Sequence, residues 1–173
     1  MARKLGQQTI VPDQSITVLS AGCAVGKKEG EGPLRQYFDH IDTDDTFGQD
    51  SWENAEIAMQ KHALSQALDK AALTAGQLDW LFAGDLLNQC VCSSFAARDL
   101  SLPFFGLYGA CSTMGEGLCL STLVLDGGGG QRAAVLSSSH FCSAERQYRT
   151  PLEYGCQRTP TAQWTVTGSG AVI

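Results

Sequence analysis

The sequence is short of charged residues, and the acidic ones outnumber the basic ones. Charged residues make up 17% of the 173 residues, and 18 Asp and Glu against 12 Lys and Arg give a net charge of −6. Nucleic-acid partners require a basic surface, so this balance gives no support for nucleic-acid binding. Hydrophobic residues reach 43%, which indicates a globular chain with a substantial core. The length predicts a single domain over residues 1–173.

Long apolar runs are also missing. No stretch approaches the roughly 20 apolar residues that a membrane-spanning helix needs. Residues 1–8 read Met-Ala-Arg-Lys-Leu-Gly-Gln-Gln and lack the apolar core of a secretory signal. We therefore expect the chain to be made and kept in the cytoplasm.

The cysteines do not have metal-binding spacing. There are seven of them, an odd number, and no two are separated by two residues. Cys90 and Cys92 are one residue apart, which is wrong for a zinc knuckle, and the three histidines are scattered along the chain. We expect no metal cluster, and we interpret the cysteines as mostly buried free thiols in a reducing compartment.

Short apolar segments alternate with helical ones along the chain. The strands are predicted at 16–20, 78–85, from 104, 132–138, 163–166 and 170–173. The helices are predicted at 51–72, 89–100 and 114–125. This alternation predicts an α/β fold with a largely parallel sheet.

One cysteine lies where an aromatic strand meets an apolar helix. Cys111 follows the run from Phe104 to Tyr108 and precedes the segment 114–125, whose leucines occupy more than one face. That helix is predicted to be buried nearly all round, with Ser112 or Thr113 as its cap. The unpaired N–H groups and the dipole at a helix N-terminus favour a thiolate or another anion.

Three chemically active side chains follow predicted strands. Asp85, Cys111 and His140 each lie just past a strand, and sites in open α/β sheets form beyond the carboxyl ends of their strands. A polar loop after His140 carries Arg146 and Arg149, which are candidates to bind a ligand carboxylate bidentately; a solvated loop is the alternative of equal weight. As a nucleophile, Cys111 would need a base, and His140 is the nearby candidate. A buried core cysteine and a simple turn carboxylate at Asp85 are the other interpretations.

Several longer runs are more specific than the cysteine motif, which ketoacyl synthases and thiolases share. They are 83–89 (AGDLLNQ), 109–113 (GACST), 138–140 (SSH), 144–147 (AERQ), 153–155 (EYG) and 165–172 (TVTGSGAV). With these runs, the sequence resembles the stage V sporulation protein AD family, a branch of the thiolase-like superfamily. The resemblance covers almost the whole chain.

The resemblance implies a fold and a partner. The fold is an α/β, thiolase-like βαβαβαββ half with a mixed, mostly parallel sheet and a buried cysteine-bearing helix. Because the family has a second half of similar size, residues 1–173 are expected to form an N-terminal half-domain. We expect the chain to form a homodimer or to pair with a second half, since the cysteine helix would otherwise expose an apolar face.

The implied function is binding rather than catalysis. The family belongs to the complex that moves dipicolinic acid (pyridine-2,6-dicarboxylic acid), with calcium, into the developing spore. The resemblance therefore implies a dipicolinate-binding subunit, held at the forespore inner membrane by the other subunits of the uptake complex. It places Asp85 and Cys111 in the ligand pocket, with His140 as a third position. No cofactor is expected, although calcium can accompany the ligand. An ionised Asp85 would repel a dicarboxylate unless its carboxyl is protonated or calcium bridges the two, so ligand affinity is expected to depend on calcium or on Asp85 protonation.

Two alternatives remain open at this point. The first is a thiolase-like or ketoacyl-synthase-like acyltransferase that forms a thioester on Cys111. In acyl-transferring relatives the catalytic histidine and its partner come from the second half, and none of those motifs occurs here. The second is a half-domain that serves only as an interaction surface.

Overall fold

A six-stranded mixed sheet organises the chain in the computed structural model, which describes residues 2–87, 90–148 (side chains to residue 144), 161 and 165–173. In chain order the strands are β1 (Arg3–Leu5), β2 (Thr9–Val11), β3 (Ala21–Val25), β4 (His40–Ile41), β5 (Trp80–Gly84), β6 (Phe104–Gly106), β7 (Ala133–Ser139) and β8 (Gly168–Val172). The helices are α1 (Lys27–Gly30), α2 (Trp52–Ala71), α3 (Val91–Leu100), α4 (Thr113–Asp126) and α5 (Phe141–Tyr148). Short 3₁₀ turns span Arg35–Tyr37, Ala75–Gln77 and Ala110–Ser112.

The main sheet has the order β4-β3-β8-β7-β5-β6, and β1 and β2 form a separate antiparallel hairpin. Strand β5 pairs in parallel with β6 and β7, and β3 pairs in parallel with β4. Strand β8 is antiparallel to both of its neighbours, β3 and β7. The predicted α/β class with a mixed, mostly parallel sheet is confirmed. The carboxyl ends of β5, β6 and β7 lie at one edge, which we call the carboxyl edge.

Helix α2 covers the middle of this sheet. Ser51 caps it by accepting a hydrogen bond from the backbone N–H of Asn54 at 3.2 Å, and Ala72 ends it in a left-handed conformation. Its buried face includes Ala55, Met59, Ala63, Leu64 and Ala67. Strand β3 meets this face at Gly22, where an added Cβ would lie 2.5 Å from backbone atoms of Ala63 and Ala67. Only glycine allows this close contact.

Helix α4 packs through small residues and is buried on one face only. Gly117 and Ser121 are buried, and a Cβ at Gly117 would lie 2.4 Å from Val135 of β7. Leu118, Leu120 and Leu123 remain 36–37% exposed. The prediction of a helix buried nearly all round is therefore wrong for this chain. The predicted side-chain cap is also wrong, since Ser112 donates its hydroxyl to the carbonyl of Gly109 instead.

Three other predictions fail in this part of the fold, and a fourth fails where the structure describes it. The first predicted strand, 16–20, is displaced to 21–25, because Gly22 and Ala24 can lie against α2. The predicted gap between the strands at 163–166 and 170–173 is wrong at Gly168 and Ser169, which lie inside β8, where small residues pair with two neighbouring strands. Residues 141–148 form a helix rather than a polar loop. The strand predicted at 163–166 lies partly outside the described residues, and 165–166 are not a strand. None of the described helices is both long and apolar enough to cross a bilayer.

Candidate functional site

The carboxyl edge receives the three side chains that the sequence singles out. Asp85 directly follows β5, Cys111 lies in the turn between β6 and α4, and His140 directly follows β7. Strand β5 lies between β6 and β7, so Asp85 is in the middle of the three. Within the described residues, no hydrogen bond joins Cys111 to Asp85 or to His140. Their shared role in ligand binding stays a prediction.

The carboxylate of Asp85 is buried and fully engaged by the protein. One oxygen accepts the backbone N–H of Leu87 at 2.9 Å. The other accepts the backbone N–H of Ser93 at 2.8 Å and its hydroxyl at 2.7 Å. Asp85 therefore ties the end of β5 to the first turn of α3, and three donors stabilise its negative charge.

His140 is completely buried, and both of its ring nitrogens have partners. Nε2 lies 2.7 Å from the carbonyl oxygen of Asp45, and Nδ1 faces the backbone N–H of Cys142 at 3.2 Å. Nε2 is therefore the donor and Nδ1 the acceptor. Trp52 packs against the ring with centroids 5.3 Å apart. In this arrangement the imidazole holds two loops together and has no free nitrogen for the Cys111 thiol.

Cys111 is exposed, unlike the other two residues. It lies in the 3₁₀ turn that leads into α4, just after Ala110, whose φ of 47° is left-handed. Its position at the start of a helix after a strand agrees with the sequence interpretation. The thiol is thus the one of the three side chains that a ligand can reach directly.

A close backbone contact forms the wall between β5 and the Cys111 turn. A Cβ at Gly84 would lie 2.2 Å from the carbonyl oxygen of Leu107, so only glycine fits there. The Cys90 thiol donates to the same carbonyl at 3.0 Å. Burial raises the pKa of Cys90, which keeps it protonated as a donor.

A buried acid that the sequence pattern did not single out lies behind this edge. Glu56 of α2 is 1% exposed, and its oxygens lie 2.7 Å from the Ser138 hydroxyl and 2.9 Å from the Ser143 hydroxyl. Burial raises the pKa of Glu56 to about 7. The signal was present, since Glu56 lies next to Ala55 and three residues before Met59 on the apolar face of α2.

Glu56, Asp85 and Cys92 form a cluster whose potential ligand atoms all lie within 4.8 Å of one another. Every carboxylate oxygen of the two acids already has a hydroxyl or backbone N–H group as its hydrogen-bond partner. Burial raises the pKa of the Cys92 thiol and keeps it protonated. The cluster therefore has the chemistry of a hydrogen-bonded network.

The two predicted arginines cannot be placed as side chains. Arg146 lies in α5, but its side chain is outside the described residues, as is all of Arg149. A groove of about 550 Å³ lies elsewhere, between α2 and α3, with Lys61, Phe95 and Arg98 among its lining residues. Of the predicted site residues, the three whose side chains the structure describes (Asp85, Cys111 and His140) do not line it.

Comparison with known proteins decides the family. Residues 6–173 match the family described as stage V sporulation protein AD. The chain belongs to this family. It is 47% identical over 168 residues to the stage V sporulation protein AD of Bacillus subtilis (strain 168), a match that covers 97% of this chain and 50% of that protein. The chain thus spans about half the length of this curated relative of the AD family.

Solved structures share the fold of this family member at low sequence identity. The 3-oxoacyl-[acyl-carrier-protein] synthase III of Aquifex aeolicus VF5 superposes with a TM-score of 0.59 at 16% identity, over 90% of this chain and 52% of that one. The corresponding synthase III of Xanthomonas oryzae pv. oryzae gives a TM-score of 0.57 at 16% identity, over 92% and 55%. These likenesses show a thiolase-like fold.

Proposed function

We propose that this chain is a non-catalytic dipicolinic acid-binding subunit of the spore's dipicolinate and calcium uptake machinery. Its membership of the stage V sporulation protein AD family carries this proposal. In this proposal the other subunits of the complex hold the chain at the forespore inner membrane. Calcium accompanies dipicolinate in the site, because calcium is coordinated by oxygen atoms and dipicolinate carries two carboxylates.

The ligand lies at the carboxyl edge, against the Cys111 turn. Cys111 is exposed there, whereas Asp85 is buried behind it with its oxygens occupied. Asp85 and His140 therefore shape the pocket from behind, through the segments that they hold. Arg146 and Arg149 are the proposed partners of the two ligand carboxylates, because guanidinium groups bind carboxylates bidentately.

Calorimetric titration with dipicolinate, with and without calcium, tests this function. We expect saturable binding, and we expect Cys111→Ala to weaken it about tenfold, which is about 1.4 kcal/mol. Cys119→Ala is the matched control, because Cys119 is also exposed and lies on α4. If the two variants bind dipicolinate with equal affinity, the ligand does not contact the Cys111 turn. No binding by a folded, monodisperse chain would contradict a site built by this half alone.

Acyl transfer through Cys111 is the second candidate. The exposed thiol at the entrance to a helix favours it, and the fold is shared with 3-oxoacyl synthases. His140 is not available as the base while its ring nitrogens bind Asp45 and Cys142. Incubation with acyl-coenzyme A followed by intact mass measurement tests this candidate. A mass increase equal to that of the acyl group, present in the wild-type chain and absent in Cys111→Ala, would favour acyl transfer over ligand binding.

The exposed face of α4 is the proposed contact for a second half or a second copy. Leu120 and Leu123 lie on this face three residues apart, and Leu118 is exposed to one side of it. We expect the isolated chain to self-associate, and we expect Leu120→Glu to shift the equilibrium toward monomers by at least tenfold, since it places a charge in an apolar contact. Sedimentation velocity measures the shift.

The control for this surface is Leu34→Glu, which changes another exposed leucine outside α4. We expect no change in association for this variant. A monomeric wild-type chain at micromolar concentration, or equal effects of the two substitutions, would contradict the proposed contact.

A further inference from the structure

Glu56 joins three elements of the fold through its hydrogen bonds. It lies on α2 and binds Ser138 at the end of β7 and Ser143 in the first turn of α5. Between these two serines lies the turn that carries His140. Glu56 therefore supports the β7–α5 turn from inside the protein, at the same edge as Asp85.

The amide of Gln60 sets the direction of the hydrogen bonds in this network. Gln60 is fully buried, and its Nε2 lies 3.1 Å from the Ser93 hydroxyl and 2.6 Å from the Ser138 hydroxyl. An amide nitrogen only donates, so both hydroxyls accept from it. Each hydroxyl has one hydrogen, which is then directed at a carboxylate. Ser93 donates to Asp85 at 2.7 Å, and Ser138 donates to Glu56 at 2.7 Å.

The second oxygen of Glu56 faces a hydroxyl with two possible acceptors. The Ser143 hydroxyl lies 2.9 Å from this oxygen and 3.1 Å from the carbonyl oxygen of His140, but it has one hydrogen to donate. If Glu56 carries a proton, the chain is complete: Glu56 donates to Ser143, and Ser143 donates to His140. If Glu56 is ionised, the Ser143 hydroxyl serves only one of these two acceptors, although the carbonyl of His140 keeps the backbone N–H of Ala144 in either case.

The charges around Glu56 favour the protonated form. Asp85, after β5, accepts three hydrogen bonds, two of them from backbone N–H groups, whereas the donors to Glu56 are the side chains of Ser138, Ser143 and Cys92. Two buried carboxylates this close do not both ionise readily. The other titratable neighbours are the protonated Cys92 thiol of α3, Glu53 of α2, whose charge acts on Cys92, and His140, whose nitrogens have partners. None of the described neighbours offers Glu56 a cation.

We infer that Glu56 is a positioning residue that carries a proton below neutral pH and, through it, holds the β7–α5 turn at the carboxyl edge. Loss of this proton uncouples Ser143 from the carbonyl of His140. The turn is then supported by one hydrogen bond fewer, beside a pair of buried negative charges. The inference concerns the protein's own proton and does not require a ligand.

The direction of the pH effect follows from linkage. Burial raises the pKa of Glu56 from 4.5 to about 7, so the folded chain binds the proton more tightly than the unfolded chain does. Below pH 4.5 both states are protonated, and Glu56 does not penalise folding. As the pH rises to about 7, the unfolding constant increases by up to tenfold per pH unit because of this group. Above that pH the penalty is constant.

Glu56→Gln is the decisive variant, because an amide reproduces the protonated acid. Its oxygen can accept from Ser138, and its nitrogen can donate to Ser143. We expect the unfolding constants of wild type and variant to be similar at pH 5. At pH 8 we expect the unfolding constant of Glu56→Gln to be about a hundredfold lower than that of the wild type. Urea denaturation at both pH values measures this difference, and Glu31→Gln, at an exposed glutamate, is the matched control.

Two further measurements separate a proton-dependent role from a merely structural one. Amide hydrogen exchange reports the turn, because Ala144 donates its backbone N–H to the carbonyl of His140 at 2.9 Å. We expect the protection factor of Ala144 to fall as the pH rises from 5 to about 7 in wild type and to stay constant in Glu56→Gln. A carboxyl carbon titration by NMR in the wild-type protein gives the Glu56 pKa even if the variant fails to fold. A Glu56 pKa below 5, or an equal loss of stability in Glu56→Gln at both pH values, would overturn the inference.

Discussion

Gly84→Ala is expected to lower the free energy of unfolding by about 3 kcal/mol, the upper end of the usual cost of overpacking. The added methyl group would lie 2.2 Å from the carbonyl oxygen of Leu107 and 2.9 Å from the side chain of Thr113. The first contact is with backbone, which cannot move without separating β5 from the segment after β6. Urea denaturation followed by circular dichroism measures the loss.

Gly76→Ala is the control for this prediction. Gly76 lies in a 3₁₀ turn, and nothing lies within 4 Å of the position of its added methyl group. We expect a change within about 0.5 kcal/mol, because the methyl group meets no atom and only restricts the unfolded chain. If the two variants lose the same stability, the close contact between Gly84 and Leu107 does not determine the geometry of the edge.

Asp85→Ala is expected to cost about 3 kcal/mol and to abolish ligand binding at the carboxyl edge. The substitution leaves three donors without their acceptor, on Leu87 and Ser93, and each buried unsatisfied group costs about 1–3 kcal/mol. The turn between β5 and α3 should become less ordered. The contact between Gly84 and Leu107 behind Cys111 should become less ordered as a result. Denaturation and dipicolinate titration on the same sample measure the two effects.

Asp79→Ala provides the matched comparison. Asp79 also accepts two backbone N–H groups, from Gln131 and Arg132, but it is exposed, so water can replace the lost acceptor. We expect a smaller loss of stability and unchanged ligand affinity. If Asp85→Ala is no more damaging than Asp79→Ala, burial of the Asp85 network does not support the site.

Elements with a strong local pattern were predicted correctly. Helix α2 was found from its cap at Ser51 and the four-residue spacing from Ala55 to Ala67, and both signals lie within the helix itself. Strands β5 to β7 were found because each is a short apolar run between helices. Because these strands are parallel, the placement of Asp85 and Cys111 at one edge followed from their order.

Elements that depend on distant partners were not predicted. Strand β3 contains Gly22 and Ala24, whose small size fits α2, but small residues give no periodic signal. The glycines of β8 are typical of a turn in the sequence. They form a strand because β8 pairs with β3 on one side and β7 on the other. The role of Glu56 depends on serines that are 82 and 87 residues away along the chain. No local pattern contains such information.

The most direct test of the account is a map of backbone amide NMR shifts on addition of dipicolinate with calcium. If the carboxyl edge is the binding site, the shifts will concentrate at 85–87, 107–113 and 140–144. Clustering in the groove between α2 and α3, around Lys61, Phe95 and Arg98, would contradict the assignment of the site. A folded chain whose spectrum does not change at saturating dipicolinate would contradict ligand binding by this half of the fold.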